Sequence, residues 1–247
     1  MPTKAQFKFI RSLQSRKVRD ELSVFVAEGP KVVEELMAEG RLQVQDVFAT
    51  PRWAAEHGAA VERRGGAMVE ISDADLDRLS GLATGNQVLA VFSKPRFPGE
   101  IDFRGHISLV LDGVQDPGNV GTIIRSADWF GLKYVVCGPG CADPFNSKVI
   151  QSTMGSIARV QVIQETDLTD FLEAYSPIAV VAATLDGKPV AEMPRLKSAF
   201  LLIGNESRGV NPQLIARASY QITIPRRGQA ESLNAAIATS VLLSHMV

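Results

Sequence analysis

The sequence predicts an α/β protein in which a small N-terminal α/β domain precedes a C-terminal domain built on a parallel sheet. Short apolar runs, separated by helical stretches, occur in the C-terminal part at residues 107–111, 134–137, 178–183, 200–203 and 221–224. These runs are mostly continuous rather than alternating, and such strands are covered on both faces, which is typical of a parallel sheet with helices on either side. Most of these runs end in glycine, proline or polar residues. Ligands of open α/β sheets bind beyond the carboxyl ends of the strands, so we expect the functional residues there.

The N-terminal third has the pattern of a small, separate α/β unit. Phe7, Ile10 and Leu13 recur at the spacing of one helix face, and Pro30 begins a second apolar helix that stops before Gly40. Strands are predicted at residues 24–27, 44–49, 67–71 and 88–92. The proline and glycine residues within 93–99 are typical of a linker. We therefore predict domains at 1–95 and 104–247, joined by a linker at 96–103.

Composition excludes several classes of protein. The net charge of -1 means that any nucleic-acid surface must be a local patch. No apolar run approaches the roughly 18 residues needed to span a membrane. Cys137 and Cys141 have no histidine nearby, so they predict neither a zinc site nor a disulfide scaffold, and we expect no metal. The six basic residues before Asp20 resemble a transit peptide, but they run directly into a folded pattern, which favours the cytoplasm.

The first segment whose residues could take part in binding or catalysis follows the apolar run 107–111. It reads Asp112-Gly-Val-Gln-Asp-Pro-Gly-Asn119 and continues into a helix that carries Arg125. A purely structural interpretation makes Asn119 the N-cap of that helix. Arg125 argues against this interpretation, because an unpaired arginine among apolar helix residues would be costly to bury.

Two further segments also follow buried strands. One is the glycine-flanked loop Gly204-Asn-Glu-Ser-Arg-Gly209, and the other is the basic loop Ile224-Pro-Arg-Arg-Gly-Gln-Ala-Glu-Ser-Leu-Asn234 before a helix rich in small residues. Taken singly, each is explained by a surface loop or a helix cap. Glycine at both ends of the first loop allows the main chain to approach a ligand closely.

Together, the three segments closely resemble the three signature motifs of the SpoU family of RNA ribose 2'-O-methyltransferases, in the SPOUT superfamily. The order and spacing agree over about 140 residues. The visible departure is Arg226, where the family often has methionine at the edge of the cofactor. The segment Phe25-Val-Ala-Glu-Gly-Pro-Lys-Val-Val-Glu-Glu-Leu36 and the basic opening helix resemble the RNA substrate-binding domain that often accompanies this family.

The resemblance implies S-adenosylmethionine as cofactor, a C-terminal trefoil knot, a homodimer and an RNA substrate. The residues implicated in catalysis are Asn119, Arg125, Glu206, Ser232 and Asn234. Those expected to line the cofactor slot are Thr184, Gly204, Ile224 and Leu233. Those expected to bind RNA are Lys8, Arg11, Arg16, Lys17 and Arg19. Because a guanidinium stays protonated, we expect Arg125 to bind the phosphate beside the target ribose and orient its hydroxyl, held there by Asn119 and Glu206.

Three alternatives remain open. A nicotinamide-dependent oxidoreductase is disfavoured, because the nearest glycine fingerprint, Gly138-Pro-Gly-Cys-Ala-Asp143, ends in aspartate. The same methyl transfer could act on transfer RNA, although the N-terminal domain favours ribosomal RNA. A non-catalytic RNA-binding or ribosome-assembly protein could keep the same fold, but it would not need all five residues of the site.

Overall fold

The computed structural model describes residues 3–81, 86–165 and 167–247. The chain forms two compact units: Met1–Phe97 with Phe145–Ala158, and Pro98–Pro144 with Arg159–Val247. The first unit therefore includes a segment from the middle of the chain, in which the ring of Phe145 lies 5.6 Å from that of Phe25. The domain limits expected from the sequence stay a prediction.

The elements of residues 3–97 alternate between helices and short strands. In chain order they are α1 Lys4–Ser12, α2 Arg16–Leu22, β1 Val24–Glu28, α3 Pro30–Ala38, β2 Val44–Ala49, α4 Pro51–Arg63, β3 Ala67–Glu70, α5 Asp73–Leu79 and β4 Val88–Ser93. The strands form one mixed sheet in the order β1-β4-β2-β3, in which only the β2–β3 pair is parallel. The predicted small α/β unit is therefore present.

The remaining chain supplies the second sheet. Its elements are β5 Ile107–Asp112, α6 Pro117–Trp129, β6 Tyr134–Cys137, α7 Ser147–Thr153, β7 Gln161–Gln164, α8 Leu168–Ala174, β8 Ala179–Pro189, β9 Ala199–Gly204, α9 Pro212–Ile215, β10 Tyr220–Thr223 and α10 Ala235–Met246. Of these, α7 belongs to the first unit.

The second sheet is parallel throughout its described pairs and runs in the order β10-β8-β9-β5-β6-β7. The parallel α/β architecture predicted from the apolar runs is confirmed. Residues 109–111, 135–136 and 200–202 are fully buried, as strands covered on both faces must be. Strands β5 and β9 end in register, with Asp112 opposite Gly204, so the polar loops that follow them start side by side.

In the part of the chain that the structure describes, no helix has the length and the apolar character that a bilayer requires.

Candidate active site

Helix α6 begins two residues earlier than Asn119. Asp116 is its N-cap, and its Oδ1 accepts a hydrogen bond of 2.7 Å from the main-chain N–H of Asn119. The purely structural interpretation of Asn119 as a helix cap is therefore wrong, because a neighbouring residue already fills that position. The buried side chain of Asn119 is left to make other contacts.

One hydrogen-bonded chain joins the three sequence segments. The amide nitrogen of Asn119 donates to Oε1 of Glu206 across 2.9 Å. The amide nitrogen of Asn234 donates to Oδ1 of Asn119 across 2.7 Å. Asn234 is also the N-cap of α10, because its Oδ1 accepts from the N–H groups of Ala236 and Ile237. The capping interpretation of Asn234 is thus confirmed, and the other end of the same amide joins Asn234 to Asn119.

The carboxylate of Glu206 is held by N–H donors. Besides Asn119, the main-chain N–H groups of Gln115 and Asp116 lie 3.4 Å from its oxygens. Partial burial raises the pKa of Glu206, but the hydrogen bonds from Asn119, from its own main chain and from Gln115 and Asp116 outweigh burial, so the pKa lies below its usual value. Glu206 is consequently an ionised acceptor at neutral pH.

The loop that carries Glu206 is locked by Asn205, a residue that sequence reasoning did not single out. Asn205 and Gly209 exchange two main-chain hydrogen bonds of 3.0 and 2.9 Å. The buried Asn205 side chain accepts from the N–H groups of Ser207 and Arg208 and donates to the carbonyl of Gly113. An asparagine that starts a glycine-flanked polar loop is the available signal, because its amide can bond the main chain two residues further on.

Glycine is required at both ends of this loop, for different reasons. Gly209 has φ +68°, in the left-handed region where a side chain is strained. A Cβ on Gly204 would overlap the main chain of Gly209 and Val210. The close approach that the sequence suggested at Gly204 therefore occurs between two main-chain segments of the loop itself.

Arg125 and Ser232 are not joined to this network. Arg125 is exposed on α6, on the face it shares with Thr122 and Trp129, and its guanidinium makes no hydrogen bond or ion pair with the described residues. The argument that Arg125 would be costly to bury is thus wrong, because the apolar residues of α6 occupy the other face. Asn119 and Glu206 bind each other and not Arg125, while Ser232 is exposed in the loop before α10.

The residues expected to line a cofactor slot lie in or after three neighbouring strands: Thr184 is within β8, Gly204 ends β9, and Ile224 and Leu233 follow β10. Oγ1 of Thr184 is buried and has no hydrogen-bond partner among the described residues. Leu233 is 49% exposed, and Leu185, which sequence reasoning missed, is 70% exposed. The carbonyl of Leu185 accepts a hydrogen bond from Thr223, the residue before Ile224. This edge of the sheet thus combines an unsatisfied hydroxyl with uncovered apolar side chains.

The basic residues of the N-terminal unit divide into two kinds. Lys8, Arg11, Arg16 and Lys17 are exposed, and the last two form i,i+4 ion pairs with Asp20 and Glu21. Arg19, in contrast, is buried, and its guanidinium donates to the carbonyls of Leu13 and Gln14 across 2.7 and 2.8 Å. The expectation that Arg19 grips RNA is therefore corrected: it satisfies main-chain groups at the end of α1.

Among residues 3–81, 86–165 and 167–247, no three histidine, cysteine, aspartate or glutamate side chains gather as a metal site would require. Cys137 and Cys141 are free thiols.

Comparison with known proteins decides the family. Residues 106–244 match the SpoU rRNA methylase family, and residues 4–90 match the MRM3-like substrate binding domain. The chain belongs to the SpoU rRNA methylase family. The resemblance drawn from the three motifs is confirmed.

Similar SpoU-type proteins cover nearly the whole chain. The 23S rRNA (guanosine(2553)-2'-O)-methyltransferase RlmP of Bacillus subtilis is 32% identical over 96% of this chain and 93% of its own. The structure of an AdoMet-bound rRNA methyltransferase from Sinorhizobium meliloti matches with a TM-score of 0.85, at 30% identity over 99% of this chain and 95% of that one. The SpoU methyltransferase AviRb from Streptomyces viridochromogenes, in complex with AdoMet, matches with a TM-score of 0.84, at 25% identity over 98% and 97%.

Proposed function

We propose that this protein transfers a methyl group from S-adenosylmethionine to a ribose 2'-hydroxyl of ribosomal RNA. The observation that carries the proposal is the chain of hydrogen bonds from Glu206 through Asn119 to Asn234. It joins the first turn of α6, the loop after β9 and the N-cap of α10 at the carboxyl end of a parallel sheet, where ligands bind. A structural cap or a surface loop at each position would not require the three side chains to meet.

The residues at the β8 and β10 side of the site fit S-adenosylmethionine. Adenine needs an apolar slot with polar groups at its edge, and the exposed Leu185 and Leu233 with the unsatisfied hydroxyl of Thr184 supply both. Ile224 and the main chain at Gly204 complete the proposed set. When bound, this cofactor supplies the methyl group on a positively charged sulfur.

The hydrogen-bonded chain would orient the acceptor ribose. Each amide nitrogen of Asn119 and Asn234 carries two N–H groups, of which the network uses one. The second N–H of each can donate to a ribose oxygen. The ionised Glu206 fixes which end of the Asn119 amide points toward the carboxylate, so these donors are held in place before RNA arrives. Alignment of this kind can supply roughly 7–11 kcal/mol of a barrier.

Arg125 and Ser232 have proposed roles that depend on bound substrate. Arg125 would bind the phosphate beside the target ribose and orient the 2'-hydroxyl, since a protonated guanidinium is a strong phosphate ligand. Its exposure on α6 is compatible with contact to an incoming ligand. Ser232, two residues before the N-cap Asn234, would complete the shell around cofactor and ribose.

The N-terminal unit supports ribosomal RNA as the substrate. It matches the MRM3-like substrate binding domain, and the similar RlmP of Bacillus subtilis is named for a position in 23S rRNA. We propose that the exposed Lys8, Arg11, Arg16 and Lys17 contact RNA phosphates, whereas the buried Arg19 does not. A ribosomal RNA substrate would place the protein in the cytoplasm.

We further propose that the protein is a homodimer. Trp129 on α6 is 85% exposed and Ile237 on α10 is 55% exposed. The two helices pack against each other, with a hydrogen bond of 2.8 Å between Ser126 and Ser240, so both side chains belong to one helical pair. Large apolar side chains left uncovered on adjacent helices favour burial against a second copy. The trefoil knot that the family resemblance implies is also proposed for the C-terminal unit.

The experiment that tests the proposal is a map of 2'-O-methyl groups in total RNA from cells with and without the gene. One methyl group missing from ribosomal RNA supports the proposal and identifies the nucleotide. A methyl group missing from transfer RNA would move the substrate to that class. An unchanged map, together with retained RNA binding by the purified protein, would favour a non-catalytic RNA-binding protein.

A further inference from the structure

Arg208 lies in the same turn as Glu206, residues 205–209, but its side chain extends toward Gly113. Asn205 ties down the main-chain N–H of Arg208 across 3.2 Å, and the bridge between Asn205 and Gly209 closes the turn. The side chain of Arg208 extends toward the loop after β5: a Cβ built on Gly113 would lie 4.0 Å from its Nη2. The turn therefore presents a carboxylate and a guanidinium from two fixed positions.

The charge of Arg208 is not neutralised by protein. Its side chain is exposed, and across the described part of the chain its guanidinium takes part in no hydrogen bond or ion pair. Glu206 is engaged by Asn119 and by main-chain N–H groups, and Asp112 accepts from the main-chain N–H of Asn211 across 2.6 Å. Arg208 thus carries a positive charge on a fixed main chain and has no acidic partner among the described residues. Such a guanidinium, placed beside a site proposed for RNA, is suited to bind an oxyanion of the ligand.

Two oxyanions could bind Arg208: an RNA phosphate and the carboxylate of S-adenosylmethionine. The position of Arg208 after β9 distinguishes them. Strand β9 lies between β8 and β5 in the sheet order. Of the residues proposed for the cofactor, Thr184 and Leu185 lie in β8 and Ile224 and Leu233 follow β10, all on one side of β9, while Gly204 ends β9 itself. The side chain of Arg208 extends toward Gly113, which follows β5 on the other side of β9. An RNA phosphate is therefore favoured over the carboxylate of S-adenosylmethionine.

We propose that Arg208 binds a backbone phosphate of the RNA next to the target nucleotide and so contributes to substrate affinity. This inference rests on the proposed function for the identity of the ligand. The contact would position RNA without touching the reacting atoms, since phosphate contacts set register and orientation.

The test compares Arg208→Gln with a matched control, Arg195→Gln. Arg195 is also an exposed arginine of the second unit, but it precedes β9, at the opposite end of that strand from Arg208. Five quantities are measured for wild type and both variants: kcat, the KM for RNA, the KM for S-adenosylmethionine, the Kd for RNA by anisotropy, and the slope of log K against log salt concentration.

We expect Arg208→Gln to raise the RNA Kd and the KM for RNA about tenfold, to change kcat by less than about twofold, and to reduce the salt slope by about 0.7–0.9, the value for one phosphate. Arg208→Lys should bind RNA more tightly than Arg208→Gln but less tightly than wild type, because lysine keeps the positive charge and lacks the paired N–H donors of a guanidinium. The control should match wild type.

Other results would overturn the inference. A higher KM for S-adenosylmethionine with unchanged RNA Kd would assign Arg208 to the cofactor carboxylate. An RNA Kd equal to that of the control would remove the contact altogether. If wild type itself transfers no methyl group to any RNA, the proposed function fails, and the Kd and salt slope still decide whether Arg208 contacts phosphate.

Discussion

Asn119 and Glu206 are hydrogen-bonded across 2.9 Å although 87 residues separate them in the sequence. The bond exists because β5 and β9 are adjacent and end in register. The segments that follow these strands therefore meet at the carboxyl end of the sheet. Substitutions of these and the surrounding residues can separate the contribution of this hydrogen bond to stability from its contribution to catalysis.

Glu206→Gln should remove a pH-dependent part of the stability. The pKa of Glu206 is lower in the folded protein than in the unfolded chain, so its stabilisation is fully present above the unfolded value of about 4.3 and is lost as the pH falls through the folded value. We expect the variant to be less stable at pH 7 by about 0.5–1.5 kcal/mol, with solvent screening keeping the effect small. Urea unfolding at pH 7 and at pH 3.5 checks this. A stability difference that is the same at both pH values would be inconsistent with it.

Asn234→Asp should separate the cap from the network. An aspartate accepts from the N–H groups of Ala236 and Ile237 as well as asparagine does, but it has no N–H to donate to Asn119. We expect methyl transfer to be reduced by roughly a hundredfold and stability to fall by about 1–3 kcal/mol, because Oδ1 of the buried Asn119 loses its donor. Asn234→Ala, which removes the cap and the network bond together, should in addition be destabilised by about 1 kcal/mol. Full activity of the aspartate variant would exclude the network from catalysis.

Gly204→Ala should destabilise the protein, whereas Gly228→Ala should not. A Cβ at 204 meets main-chain atoms of Gly209 and Val210, which cannot move without breaking the turn, while a Cβ at 228 meets nothing within 4 Å. We expect a loss of about 3 kcal/mol or more for the first variant and less than about 0.5 kcal/mol for the second. Thermal denaturation of both variants measures the difference, and equal melting temperatures would contradict it.

Arg19 and the exposed cations of α1 should behave in opposite ways. Arg19→Ala leaves the carbonyls of Leu13 and Gln14 unpaired, so a loss of about 1.5–3 kcal/mol is expected. The double variant Lys8→Ala, Arg11→Ala should keep the melting temperature but weaken RNA binding and flatten its salt dependence, by about one unit of slope for each phosphate that is no longer bound. An unchanged salt slope for the double variant would remove α1 from the RNA-binding surface.

Arg125→Ala should leave folding and cofactor binding intact while reducing methyl transfer by roughly a hundredfold or more. The side chain is exposed and its removal disturbs no described hydrogen bond, so stability should not change. Thr122→Ala, on the same exposed face of α6, is the matched control and should retain activity. The assignment fails if Arg125→Ala and wild type turn over the true RNA substrate at the same rate.

The apolar runs predict the strands of the parallel sheet because a strand buried on both faces leaves a continuous signal. Strand β7, Gln161–Gln164, is not predicted by such a run: its residues are only partly buried at the edge of the sheet, so polar and apolar residues mix. Strand β8 extends further than its apolar run because its last residues pair with β10 after a register shift.

The sequence predicts the site as a set of residues, but not as a set of contacts. Residue spacing does not say which face of α6 is covered, so the argument from the cost of burying Arg125 was applied to a side chain that is in fact exposed. The same ambiguity makes Arg19 look like a surface cation, although its guanidinium reaches back to the end of α1. Nor does the sequence tell which of two neighbouring polar residues caps a helix, and here Asp116 leaves Asn119 available for Glu206.

The most direct test of the central claim is transfer of an isotope-labelled methyl group from S-adenosylmethionine to ribosomal RNA by the purified protein, followed by digestion to nucleosides and mass spectrometry. The RNA is taken from cells that lack the gene, and Asn119→Ala serves as the inactive reference. We predict label in one 2'-O-methylated nucleoside, with none from the variant. Label on a base, or no label in any RNA under conditions where the protein is folded and binds RNA, would contradict ribose methylation.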